Sequence, residues 1–195
     1  MNKERSKSSP VRELSANEDG SVAIEFAFVG PILVILILGV VEATNMLAQD
    51  RTVALANETM VDYVARLKTV AASDQTTVSQ ALDLMMSPNN STYTSSIAIA
   101  TFDANGNLSG TPAQFAVHGS GFCFTSAEVS AAACPPGSTP ACLSAGSDSM
   151  VIGKTNSVYR PILFPTFMPQ NFSLGALNTQ RPREVQVTSS LATCS

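Results

Sequence analysis

Charge is what this sequence has least of. Asp, Glu, Lys and Arg together make up 13% of its 195 residues, about half the usual share in a soluble domain. Tryptophan is absent, so no indole belt marks a membrane surface, and His118 is the single histidine. A Ser-His-acid site would have to use that residue, yet no Gly-x-Ser-x-Gly elbow accompanies it. There is no Gly-rich phosphate loop and no His-Glu-x-x-His. Asp74, Asp83, Asp103 and Asp148 are scattered over turn and cap positions and suggest no catalytic pair. A net charge of −4 leaves no basic excess for general nucleic-acid binding. The expectation is a protein without catalytic residues, cofactor or nucleic-acid partner, in which His118 is a surface or internally satisfied side chain.

The four cysteines, Cys123, Cys134, Cys142 and Cys194, contain no Cys-x2-Cys pair, and the chain offers them a single histidine. That spacing is unlike a zinc site, so no metal is expected there. Two disulfides fit better. Four cysteines allow three connectivities. Proximity and the Pro135-Pro136-Gly137 turn favour Cys134–Cys142, which leaves Cys123–Cys194, while the Ala-rich segment after Cys123 keeps Cys123–Cys134 open.

What is present in abundance is one apolar run. From Val22 to Val41 the only charge is Glu25, and the run matches the roughly 20 residues a helix needs to cross a bilayer core. An ordinary secretory signal has an apolar region of only about 7–15 residues. A carboxylate inside such a segment is costly and marks function. Lys3, Arg5, Lys7 and Arg12 precede the run, whereas only Arg51 lies in the twenty residues after it. The positive-inside rule therefore keeps the N-terminus in the cytoplasm and exports the chain beyond about residue 45. The cysteines then all fall on the exported side, where disulfides persist.

The pattern divides the chain into a polar leader (1–20), a transmembrane segment (21–45), an amphipathic helical extension (46–72) and an extracytoplasmic head (73–195). Pro31 is expected to kink the helix rather than end it. Beyond Val41, Val53, Met60, Val64, Leu67 and Ala71 recur at helical spacing opposite Asp50, Arg51, Glu58 and Asp62, an apolar stripe that docks on the chain's own head or on neighbouring subunits. Asp74 is expected to N-cap a second helix over 75–86. Residues 96–102 alternate as a strand, and Asn105-Gly106 supplies a hairpin turn. Thr125-Ser126-Ala127-Glu128 has capping-box form and opens a short helix to about Ala133. Strands are expected over 150–160 and 184–191, joined by an irregular proline- and phenylalanine-rich connection. The fold class is α+β: a long N-terminal membrane-spanning helix and a small disulfide-bonded head of antiparallel sheet plus short helices.

Gly20 followed by Glu25, the Glu25-Phe26 pair, Pro31 inside the run and Gly39-Val40-Val41-Glu42 at its end resemble the TadE-like minor pseudopilins of tight-adherence (Flp, type IV pilin-like) pilus systems. The resemblance covers roughly Gly20 to Arg66, with an echo in Tyr159-x-Pro161-x-x-Phe164-Pro165 and Arg181-Pro182-Arg183. Glu18 and Asp19 stand where the family more usually carries basic residues. The resemblance implies cleavage by a prepilin peptidase between Gly20 and Ser21, on an extended backbone, with Glu25 becoming the fifth residue of the product. It implies that Glu25 sets register by pairing with an α-amino group at Ser21, whereas the residues alone favour a carboxylate that snorkels to the cytoplasmic interface about one turn away. It also implies a role in initiating, capping or tuning assembly of an adhesive pilus at the bacterial inner membrane. The implied partners are other pilins and pseudopilins, the inner-membrane platform and the peptidase. The competing reading is an uncut single-pass envelope protein whose head binds a ligand or a surface; a membrane-tethered hydrolase comes third.

Overall fold

One helix, α1 (Asp19–Ala65), takes up the whole first part of the described chain and runs through Pro31 without a break. The computed structural model describes residues 19–87, 92–103, 105, 107–119, 123–133, 149–162, 171–183 and 188–189. The chain divides into two units, Met1–Thr44 and Asn45–Ser195.

In the first unit α1 is apolar on every side. Phe26 and Phe28 are 72% exposed, and Val22, Ile24, Ile32, Leu36 and Val40 are also open. A helix that is apolar all round belongs in lipid or in the centre of a bundle, and this stretch is long and apolar enough to cross a membrane.

In the second unit the rest of α1 is amphipathic, as the spacing predicted, and its inner face packs on the chain's own sheet. Val53, Ala56, Met60, Val61, Val64 and Ala65 are buried in one core with Ile97, Ile99, Phe115, Val117 and Val151. The helix stops at Ala65, seven residues before the expected end of the extension at residue 72. Its last turn tightens through Arg66 N–H to Tyr63 O and Leu67 N–H to Val64 O, and Arg183 N–H takes the Ala65 carbonyl at 2.9 Å. These bonds satisfy carbonyls that a helix end leaves open. The next residues form a two-residue strand, β1 (Thr69–Val70), paired in parallel with β6 (Thr188–Ser189). Two β-branched residues offered a distant partner leave the helix at small cost.

Helix α2 spans Ala72–Met86, starting three residues before the expected point. Ala71, not Asp74, is its N-cap. Asp74 sits at the third helical position and accepts the Ala71 N–H at 2.9 Å. Alanine offers no acceptor in return, so only the backward half of a capping box forms.

Strands β2 (Tyr93–Thr101), β3 (Ala113–His118), β4 (Ser149–Tyr159) and β5 (Phe172–Gln180) form one antiparallel sheet in the order β3-β2-β4-β5. The turn expected after β2 is present: Phe102 bridges Leu108, and Asp103 Oδ1 accepts the N–H groups of Asn105 and Asn107. Helix α3 (Ser126–Ala133) covers the opposite face, where Val129, Ala132 and Ala133 pack on Ala98, Ala100, Met150 and Ile152. The sheet thus carries α1 and α2 on one face and α3 on the other, and β2 is buried on both sides. Small alanines at 98 and 100 let α3 approach.

Strand β5 was not expected. It falls inside the segment read as an irregular connection, and it pairs with β4 over its full length, Tyr159 with Phe172 through Val151 with Gln180. Of the strand expected over 184–191, residues 188–189 are β6 and the remainder lies outside the described residues.

The α1–β4 contact is close because residue 153 has no side chain. A Cβ there would lie 2.2 Å from Val61 Cγ2 and 2.9 Å from Met60 Cε. Around this point buried polar groups meet. Asn57 Nδ2 donates to Gly153 O at 3.1 Å, Thr155 Oγ1 donates to Asn57 Oδ1, and Gln49 Nε2 donates to Ser157 Oγ at 2.8 Å. These bonds fix which turn of the helix lies over which residue of the strand.

Candidate functional site

The residues singled out at the N-terminus lie on one helix. Gly20 and Ser21 are in the first turn of α1, so the bond between them is helical rather than extended. The first turn is the part of a helix whose N–H groups lack intrahelical partners, which makes it the easiest part to open. Glu25 follows one turn after Ser21 and is exposed. Positions four apart share a helix face, so backbone geometry places the carboxylate-bearing residue above the residue at the expected new terminus. Pro31 lies farther along the same helix and has no N–H to donate to the carbonyl of Ala27.

Cys123 lies just before α3, and among the described residues no cysteine is free. Cys134, Cys142 and Cys194 lie outside the described residues, and with them the connectivity. Tyr159 closes β4 and is buried, and Pro161 follows it; Phe164 and Pro165 lie outside the described residues.

The head brings together two groups of polar side chains that are far apart in sequence. In the first, Lys154 Nζ on β4 donates to Glu128 Oε1 on α3 at 2.6 Å and stands 5.6 Å from the centre of the Phe124 ring. Glu128 also completes the expected capping box: its Oε2 accepts the Thr125 N–H at 2.8 Å, and Thr125 Oγ1 accepts the Glu128 N–H. The Lys154 hydrogen bond first, and the Thr125 N–H second, hold the Glu128 carboxyl down at about 2. Beside this pair a groove of about 310 Å³ is lined by Ala131, Ala132, Asn156, Gly175 and Leu177.

In the second group, Tyr93 donates to Asp83 Oδ1, His118 Nδ1 lies 3.4 Å from the same oxygen, and the two rings stack at 4.1 Å. Burial first, then the Asp83 bond, push the Tyr93 hydroxyl above its ordinary value. His118 is therefore internally partnered. Ser95, its ladder partner on β2, bonds Met60 and Thr155 through its Oγ.

Residues 20–58, about a fifth of the chain, match the family model of TadE-like proteins. The matched stretch contains Gly20, Ser21, Glu25 and Pro31 and carries the same resemblance that the sequence motifs showed. It associates the chain with the tight-adherence pilus machinery in general. No curated protein and no solved structure matches the chain.

Proposed function

We propose that this chain is a minor pseudopilin of a tight-adherence pilus. In this reading a prepilin peptidase cuts it after Gly20, α1 anchors it in the inner membrane with the N-terminus cytoplasmic, and its extracytoplasmic head is closed by two disulfides. It helps to initiate, cap or tune assembly through contacts with other pilins and the membrane platform. The observation that carries this reading is the Gly20-to-Glu25 spacing, inside the TadE-like match, at the start of a helix whose apolar side chains are exposed all round. Such a helix must be covered by lipid or by other helices, and a charged residue near its start is tolerable where it meets an opposite charge.

A second reading is supported by Glu18 and Asp19 before the bond and by the helical setting of Gly20–Ser21: an uncut single-pass envelope protein whose head binds a ligand or surface. N-terminal sequencing of the protein recovered from membranes separates the two. The pseudopilin reading expects Ser21 as the first residue, and Gly20→Leu should leave the full-length chain inserted but unassembled. Wild-type protein found only with residues 1–20 attached would overturn it.

A further inference from the structure

We propose that Asp83, Tyr93 and His118 form a binding site for a divalent transition-metal ion, with Cu(II) the tightest. Three elements converge there: α2 carries Asp83, β2 carries Tyr93 and the end of β3 carries His118. The phenol and imidazole rings are stacked 16° from parallel, so the Tyr93 hydroxyl and His118 Nδ1 are presented to one carboxylate oxygen, Asp83 Oδ1.

That oxygen and Nδ1 are 3.4 Å apart. Two ligand atoms about 2.1 Å from an ion and subtending 90–110° at it stand about 3.0–3.4 Å apart, so an ion fits between them with little movement. The Tyr93–Asp83 hydrogen bond is shorter and must open somewhat. What now joins those two oxygens is a proton. In binding, the phenolic O–H breaks, the proton leaves to water, and the ion bonds the phenolate oxygen, the carboxylate oxygen and the imidazole nitrogen. One phenolate and one carboxylate balance a divalent charge.

The electrostatic setting favours a cation independently of the ligand geometry. Asp83 lies in the last turn of α2, which contains no basic residue. The carbonyl end of a helix is electronegative, so a carboxylate there is destabilising and a cation is favoured. The side chains of His118 and Asp83 are 36% and 53% exposed, which lets an ion enter and leaves positions for water. One nitrogen and two oxygen donors suit Cu(II), which also heads the affinity order of divalent first-row ions. Occupancy ties α2 to the β2–β3 edge, so it stabilises the head by mass action.

The test uses the full-length protein, purified in detergent, freed of metal with a chelator and titrated with a Cu(II) salt alone. One ion per chain is expected, with a phenolate-to-copper absorption in the visible, nitrogen coupling from one imidazole in the electron paramagnetic resonance spectrum, and a thermal midpoint that rises with copper. His118→Asn should remove the nitrogen coupling and weaken binding at least about tenfold. Tyr93→Phe keeps the ring stack, and so the fold, but should remove the visible absorption and most of the thermal shift. Absence of saturable uptake by the wild type, or uptake that neither substitution alters, overturns the site; the latter outcome places copper elsewhere on the chain.

Discussion

Glu128 shows how much one residue can hold when its neighbours in sequence and in space agree. It closes the N-terminal turn of α3 through Thr125 and reaches across to Lys154 on β4. The first contact was legible, because a capping box needs only four consecutive residues. The second was not, because Lys154 lies 26 positions away and is brought near by sheet pairing. The same holds for His118: its being satisfied could be expected, but Asp83 and Tyr93 as its partners could not. The carboxyl of Glu128 sits at about 2 rather than its ordinary 4.5, so its contribution to stability is full above about 4.5 and is lost as pH falls toward 2. Glu128→Gln can keep the Thr125 bond and removes the charge. At neutral pH it should cost about 0.5–1 kcal/mol, the upper part of the range for an ion pair that water partly screens. Urea unfolding should show the gap between wild type and variant closing as pH drops from about 4.5 to 2. A gap that stays constant with pH would show that the charge pair does not stabilise the fold.

Among the elements, those specified locally were readable and those specified by distant partners were not. The second half of α1 carried its apolar stripe openly, and α3 carried its cap. Strand β5 carries Gly175 and Asn178, residues with little intrinsic strand preference, and owes its extension to nine consecutive pairings with β4. Strands β1 and β6 are two residues each and exist through one another. Gln49 and Asn57 are polar residues on an otherwise apolar helix face, and their partners are about a hundred positions away. Nor did the sequence mark Gly153 as the point where helix and strand nearly touch. Gly153→Ala puts a methyl group 2.2 Å from Val61 Cγ2 and must push α1 off β4. Overpacking of this kind costs about 1–3 kcal/mol, and the polar contacts of Asn57 should weaken with it. Gly175→Ala is the matched comparison. There the closest atom is Asn156 Oδ1, at 2.7 Å, the end of a side chain that can rotate away, so the loss should stay below about 1 kcal/mol. Equal losses in chemical denaturation of the two variants would show that close packing of α1 on β4 does not limit stability.

At the scale of the whole molecule, the two units have different solvents in view. The second unit buries two apolar cores, one on each face of one sheet. The first unit leaves an apolar helix surface exposed and can be stable only when something apolar covers it. Glu25 is the single charge in that surface between Val22 and Val41, and the pseudopilin reading gives it a partner, the α-amino group created at Ser21. Glu25→Gln isolates this role because it preserves shape and removes charge. Membrane insertion should be unchanged or easier, since an expensive group has left the apolar segment. Cleavage after Gly20 should persist, the bond being more than a helical turn from the substituted side chain. Incorporation into the assembled pilus or its initiating complex should fall at least about tenfold, because an amine left unpaired in an apolar interface costs well above the 1.4 kcal/mol that tenfold represents. The measurement is cross-linking of the processed variant to its pilin partners in intact cells, beside N-terminal sequencing of the same sample. A variant that is processed but not incorporated supports charge pairing at the helix start. A variant incorporated as well as the wild type reduces Glu25 to a residue at the membrane surface, and the register of assembly must then come from the apolar helix faces and the heads.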